Sequence, residues 1–182
     1  MILPFKLPVN FRGGLYIGSV AVTPSAAEIN RLTGIPASAG LVLAREVSFT
    51  ETTGAGVYTG SVALPAGASL LDIKVRSTAL WTAATSATMK IGDDADDDGW
   101  FAGINLKATD LLVGEEINFV QTGGKEGAYL STSTGLRSTA YSASARTITG
   151  IVTTVGTTGL AGRTRMLVTY VTPGSVTGAT KV

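Results

Sequence analysis

From Leu41 onward, apolar and polar residues alternate along the chain in short runs. Leu41, Leu43, Val47 and Phe49 fall on one side of an extended backbone. So do Tyr58, Val62 and Leu64, then Leu71, Ile73 and Val75, then Ala87, Met89 and Ile91, then Ile117 and Phe119, and finally Met166, Val168 and Tyr170. Successive side chains of a strand point to opposite faces, so each run predicts a strand with one buried face. Turn-forming clusters separate the runs: Thr52-Thr53-Gly54-Ala55-Gly56, Gly92-Asp93-Asp94, Thr122-Gly123-Gly124-Lys125 and Gly156-Thr157-Thr158-Gly159. Between Val57 and Arg76, Pro65-Ala66-Gly67 supplies a fixed negative φ and a permissive glycine, which predicts two neighbouring antiparallel strands joined by a turn. The whole pattern predicts an all-β fold, a jelly-roll or Greek-key β-sandwich. Periodicity leaves the sheet order open. A helical turn is predicted over Ala108–Val113.

Ahead of Leu41 the pattern is different. Residues 1–22 scatter Pro4, Pro8, Gly13, Gly14 and Gly18 among apolar residues that include Phe5, Phe11, Leu15 and Tyr16. Proline removes backbone donors and glycine loosens the chain, so this piece is not expected to form a regular element by itself. Two readings stand: an extended N-terminal arm laid on a partner, with those four residues as contacts, or an edge strand packed on its own domain. Thr23 to Gly34 predicts one short helix. Thr23 caps with Pro24 at the first helical position, or Ser25 and Glu28 form a capping box, and Gly34 with Pro36 ends it. Ile29 and Leu32 give it a narrow apolar stripe, enough to dock on a neighbour. The expected organisation is an arm with a short helix (about 24–33) over 1–40, a sandwich over 41–172 and a tail over 173–182.

Composition narrows the function classes. The 182-residue chain has no cysteine and no histidine. That removes thiolate chemistry, the commonest general base and the usual partner of a nucleophilic serine, so an enzyme is not expected. Net charge is +1 with 15% charged residues, against about 25% in ordinary domains. So weak a field predicts no nucleic-acid partner, and without an apolar run of about 18 residues no membrane span is expected. An under-charged surface is what a protein shows when neighbours, not water, cover much of it. The N-terminal residues carry no basic region ahead of an apolar core, so no secretion signal is expected.

The densest chemistry is an acidic run, Asp93, Asp94, Asp96, Asp97 and Asp98, closed by Gly99. Asp94, Asp96 and Asp98 fit the opening of a calcium loop, in which carboxylates at alternate positions converge on a hard cation. The pattern then breaks, because Asn105 stands near where a bidentate glutamate belongs. A non-helical calcium site, a salt-bridging contact to a neighbouring subunit and a solvated loop all remain open. Trp100 and Phe101 are expected to anchor the loop in the core. Glu115 and Glu116, adjacent on a strand, point to opposite faces and cannot form one site. Arg137, Arg146, Arg163 and Arg165 concentrate positive charge in the last third, suited to fixing the register of an oligomer or to pairing within the chain.

Ala26-Ala27-Glu28-Ile29-Asn30-Arg31-Leu32-Thr33-Gly34 resembles a segment that recurs near the start of tailed-bacteriophage virion proteins. The runs Gly60–Ala68, Leu80–Thr88 and Gly92–Gly99 resemble a group of phage structural proteins of similar length. The resemblance implies a capsid decoration (cement) protein on the virion. Such a protein binds the major capsid protein at the outer surface of the head, as a homo-oligomer with a trimer favoured and a dimer possible, and needs no cofactor. Fibre proteins with the same helical segment carry long repeats, which this chain lacks. The alternative is a virion-surface or tail fibre module that binds host carbohydrate through exposed aromatics, with Tyr16, Tyr58, Trp81, Trp100, Tyr129 and Tyr141 as its candidate rings.

Overall fold

The structure, a computed structural model, describes residues 15–17, 20–22, 40–54, 56–132, 135–156 and 159–173. Phe5, Phe11, the helix expected over 24–33 with Ile29 and Leu32, and nearly all of the tail lie outside them. The chain divides into two compact units, Met1–Ala37 and Ser38–Val182. In the first, β1 (Leu15–Ile17) pairs antiparallel with β2 (Val20–Val22), Tyr16 opposite Ala21. A regular element therefore does form where prolines and glycines argued against one. The reason is local: the six residues of β1 and β2 include no proline or glycine, and the β-branched and aromatic residues among them favour strands.

In the second unit the alternating runs become eight strands in two antiparallel sheets. These strands are β3 (Val42–Thr50), β4 (Val57–Leu64), β5 (Ser69–Ala79), β6 (Ser86–Gly92), β7 (Phe101–Asn105), β8 (Glu116–Ile117), β9 (Arg146–Val155) and β10 (Arg163–Val171). One sheet runs β3-β10-β5-β8 and the other β4-β9-β6-β7. Two short helices, α1 (Ala128–Ser131) and α2 (Gly135–Thr139), lie between β8 and β9. Their four- and five-residue lengths leave no periodicity for a sequence to show. Over Ala108–Val113 the expected helical turn is absent: Ala108 has φ 69°, in the left-handed region that breaks a right-handed helix.

The expected pairing of β4 with β5 is also wrong. The Pro65-Ala66-Gly67 turn is present, closed by Ala68 N–H donating to the Pro65 carbonyl with Gly67 at φ 77°. It carries the chain across the sandwich, so β4 pairs with β9 while β5 pairs with β10 and β8. Alternation reports which face of a strand is buried, and both strands do bury one face. It carries no information about the partner.

The inward faces make one core that includes Phe49, Leu64, Ile73, Val75, Met89, Ile91, Ile148, Val152, Met166 and Val168. Leu71 is not in it: Leu70 is buried and Leu71 is 48% exposed. Thr169 of β10 lies opposite Asp72 and Tyr170 opposite Leu70, so Leu71 is the extra residue of a β-bulge, which inverts the facing of what precedes Ile73. At the centre, Gly60 of β4 and Gly150 of β9 are cross-strand partners, and a Cβ on either would come within about 3.1 Å of the Phe49 ring tip. This glycine pair makes the seat in which Phe49, from the opposing sheet, is held.

One end of the sandwich is closed by a buried carboxylate. Glu51, 2% exposed, accepts hydrogen bonds from Thr82 Oγ1 at 2.7 Å, Thr82 N at 3.0 Å and Gly162 N at 3.0 Å. Burial by itself would raise its pKa. The donors from Thr82, Gly162 and Ala83 outweigh that and hold it below the usual carboxylate value. Beside it Trp81 is buried and donates its indole N–H to Thr164 Oγ1 at 2.9 Å.

Candidate functional site

Two surfaces and one loop cluster stand out. The outer face of the β3-β10-β5-β8 sheet is charged: Glu116 pairs with Lys74 at 2.9 Å and Arg76 at 3.1 Å, and Arg165 with Glu46 at 3.2 Å. The Lys74 ammonium and Arg76 guanidinium hold the Glu116 carboxyl below its usual value. These are partly exposed cross-strand pairs, a water-facing surface.

The outer face of the β4-β9-β6-β7 sheet is of another kind. Its cross-strand rows read Val57, Thr153 and Thr88, then Thr59, Ile151 and Lys90, then Ser61 and Thr149, then Ala63 and Thr147. Lys90 is the one charge in these rows, and it pairs with Asp97 at the edge. The rest are hydroxyls and methyls, with Val57 64% and Val155 48% exposed. Here the under-charged composition becomes a place on the molecule. Covering such a face strips water from almost no charge, and depletion of charge marks the centres of protein interfaces.

The loop cluster joins the acidic run to the start of β9. Asp93 leaves the end of β6 and is caught from all sides. Its Oδ1 accepts from Ala95 N at 3.0 Å, Asp96 N at 3.3 Å and Tyr129 OH at 3.1 Å, and its Oδ2 lies 3.5 Å from Arg146 Nη1. Arg146 also donates to the carbonyls of Thr139 and, at 2.7 Å, Ala140, which ties α2 to β9. Its guanidinium carbon sits 5.7 Å from the Trp100 ring centroid. Trp100 in turn stacks on Phe119 at 5.2 Å and meets Tyr129 edge-on at 4.9 Å. Burial, and then the Asp93 charge, push the Tyr129 hydroxyl up to about 12. Trp100 and Phe101 are fully buried, as the sequence led one to expect.

The expected calcium triplet is arranged differently. Asp94 Oδ2 accepts from Thr147 N at 3.1 Å, which turns it toward β9. The carboxylates that come within 4.8 Å of one another are those of Asp96, Asp97 and Asp98. Asp97 is already paired with Lys90, and a hydrogen bond that the protonated Asp98 carboxyl donates to Asp96, then burial and the charges of Asp96 and Asp97, raise the Asp98 pKa. Of the expected contact residues, Leu15 and Tyr16 lie in β1. Glu115 accepts from Leu112 N at 2.7 Å while Glu116 serves Lys74 and Arg76, so the two glutamates do act separately. The arginines divide: Arg146 and Arg165 pair within the chain, and Arg163 is exposed with no side-chain partner among the described residues.

Gly92 is what lets the acidic loop fold back. A Cβ there would lie 1.9 Å from the Asp96 carbonyl oxygen and 2.3 Å from the Asp97 carbonyl carbon. Gly92→Ala is expected to destabilise the protein by about 3 kcal/mol, at the upper end of the overpacking range, because backbone has to move. Urea unfolding followed by tryptophan fluorescence measures it. A change below about 0.5 kcal/mol, the range of ordinary surface substitutions, would show the loop to be loosely held.

No model of a known protein family matches the sequence, and no curated protein matches it. Similar chains occur among solved structures, all three from phage capsids. One is in the acidic stable capsid structure of Helicobacter pylori bacteriophage KHP30, 16% identical over 74% of this chain and 90% of that one, with a TM-score of 0.49. Another is in the cyanophage Pam1 capsid asymmetric unit, 19% identical over 88% and 99%, TM-score 0.47. A third is in the capsid of Ralstonia phage GP4, 19% identical over 78% and 90%, TM-score 0.45. Among the described residues, no helix is long and apolar enough to cross a membrane.

Proposed function

We propose that this protein is a non-enzymatic structural component of a phage particle, a decoration protein that binds the outer surface of the head and bridges major capsid subunits. The observation that carries the reading is the nearly uncharged outer face of the β4-β9-β6-β7 sheet, the surface a docked protein keeps for a neighbour. The sequence resemblance to phage virion proteins supports it. The strand order β3-β10-β5-β8 over β4-β9-β6-β7, in which every connection but that from β6 to β7 crosses between the sheets, supports reading the sandwich as a jelly roll, an architecture found in viral capsid and lectin domains. Fold alone does not assign a function. In this reading the protein sits at the capsid surface as a homo-oligomer, a trimer, works without a cofactor, and gains affinity from many repeated contacts.

The carbohydrate alternative has less support. Trp81 and Trp100 are buried, Tyr58 and Tyr129 are half-buried, and Tyr141, 57% exposed, is the one exposed ring among the tyrosines and tryptophans whose side chains are described. One exposed ring does not make a stacking platform.

The test is co-sedimentation of the purified protein with undecorated phage heads. Thr149→Glu and Thr153→Glu each place an unpaired charge in the middle of the uncharged face and leave the core untouched. Each is expected to reduce retention on heads at least about tenfold, the effect of burying one charge without a partner, while the thermal midpoint stays within a few degrees. Full retention by both variants removes that face from the interface. No retention of the wild-type protein at all would sink the decoration reading.

A further inference from the structure

Where β3 and β5 meet the start of β10, an open pocket of about 460 Å³ takes in the outward-facing Ser48, Thr50, Thr78, Arg163 and Arg165, and no carboxylate lines it. Arg163 lies opposite Thr50 and Arg165 opposite Ser48. Residues two apart on a strand share a face, so two guanidiniums and two hydroxyls mark the corners of one patch, about 5 Å across the strands and about 7 Å along them. These groups are largely uncommitted. Arg165 gives Nη1 to Glu46 at 3.2 Å and keeps the rest of its fork, and Thr78 Oγ1 donates to the Arg163 carbonyl at 3.2 Å. The Arg163 guanidinium and the hydroxyls of Ser48 and Thr50 have no partner among the described residues. The surroundings do not neutralise the patch. Arg76 lies opposite Arg165 on the other side, like charge against like charge, which costs stability unless something offsets it. Glu116 is shared between Arg76 and Lys74. Four cations thus meet two carboxylates, Glu46 and Glu116, a formal +2 at this end of the sheet in a chain whose whole net charge is +1.

Two arginine forks with two free hydroxyls call for an anion that offers oxygens in several directions. A carboxylate is planar, and one guanidinium fork fills both its oxygens. A phosphate carries more charge and three acceptor oxygens on a tetrahedral centre, so it meets both forks and the hydroxyls together. The pocket is also roomier than one small anion requires and falls in the range of small-molecule sites, about 300–1,000 Å³. Leu160, 66% exposed, with Ala161 and Ala79 gives it an apolar wall that a bare phosphate would leave facing water. We propose that this pocket binds a phosphate monoester, with Arg163 and Arg165 holding the phosphate from two sides, the Ser48 and Thr50 hydroxyls donating to it and the organic group lying against Leu160. The pocket belongs to the sheet opposite the uncharged face, so the assignment does not depend on that face meeting a capsid.

The probe is phenyl phosphate, titrated into the full-length protein at constant ionic strength, so that general screening does not change, and followed by amide NMR shifts. The expected result is saturable shifts centred on Ser48, Thr50, Arg163 and Arg165. Benzoate, the same ring with a planar carboxylate, should bind at least about tenfold more weakly, and inorganic phosphate, without the ring, severalfold more weakly. Arg163→Gln is expected to weaken phenyl phosphate at least about tenfold, as loss of a charge-assisted contact requires. Arg45→Gln removes an exposed charge outside the pocket and should leave binding unchanged. Glu46→Gln frees Arg165 from its partner and should tighten binding, an effect that a merely structural role would not produce. Benzoate binding as tightly as phenyl phosphate, inorganic phosphate binding as tightly as the ester, Arg45→Gln weakening the probe as much as Arg163→Gln, or the absence of a saturable shift each overturn the assignment.

Discussion

Replacing Arg146 by leucine is expected to remove about 3–5 kcal/mol of folding stability, the range for deleting one partner of a buried ion pair. The side chains of Arg146 and Asp93 are only 10% and 9% exposed, so the carboxylate left behind has little water to turn to. The substitution also strips the donors from the Thr139 and Ala140 carbonyls and so detaches α2 from β9. Urea titration followed by Trp100 fluorescence reports it directly, because the guanidinium lies over that ring. Adding Asp93→Asn to the leucine variant should restore part of the loss, since the orphaned charge goes with it. Arg146→Lys should fall between, because a single ammonium cannot reach the carboxylate and both carbonyls together. A leucine variant within about 1 kcal/mol of wild type, the value of an exposed pair, would mean that water reaches Asp93.

The second large effect concerns Glu51. Glu51→Gln turns a carboxylate that accepts from Thr82 Oγ1, Thr82 N and Gly162 N into an amide, one end of which is itself a donor. A loss of about 2–4 kcal/mol at neutral pH is expected, from one or two buried donors left facing an N–H₂ group. The sign of its pH dependence follows from the lowered pKa. A carboxyl whose folded value lies below its unfolded value of 4.5 contributes stability that is fully present above that pH and is lost as the pH falls through the folded value. The gap between wild type and Glu51→Gln should therefore be constant from pH 7 down to about 5 and narrow below 4.5. Asp98 works in the opposite sense. Its pKa is raised, so acidification through that range relieves repulsion in the loop. Thermal melts of Glu51→Gln and Asp98→Asn against wild type across pH 3–7 separate the two, and a gap for Glu51→Gln that widens with acid would refute its assignment.

What the sequence could show follows from what alternation encodes. It located β3, β6 and β10 and the inward residues Phe49, Met89, Ile91, Met166 and Val168, because burial of one face leaves a mark at every second position. It misassigned Leu71, since one bulged residue shifts that mark without erasing it. It paired β4 with β5 because nearness in sequence was the one cue to a partner, and a turn that crosses between sheets has the same composition as one that closes a hairpin. At the loop cluster both halves were visible, the acidic run and Arg146, but 53 residues separate Asp93 from Arg146. The same residue types served equally well for a contact between subunits. The glycine pair under Phe49 had no signal at all: Gly60 and Gly150 read as weak points in two strands, and their use depends on what faces them across the core.

The strand order also dictates when the molecule can come together. β10, the last of the described strands, lies between β3 and β5, and β9 lies between β4 and β6. The β4-β9-β6-β7 sheet is not continuous until β9 (Arg146–Val155) has left the ribosome, and the other not until β10 (Arg163–Val171) has, so β3 to β6 must wait with their apolar faces uncovered. Pairings this distant along the chain close slowly, and exposed strand edges during the delay invite association with other nascent chains. Arg45 helps meanwhile. On edge strand β3 it lies opposite Val168, on the side that faces the core, yet it stays exposed, an inward-directed charge of the kind that discourages a foreign strand from adding there. A chain cut short before Arg163 would lose the middle of its first sheet, and should accumulate as aggregate and not as a smaller folded domain.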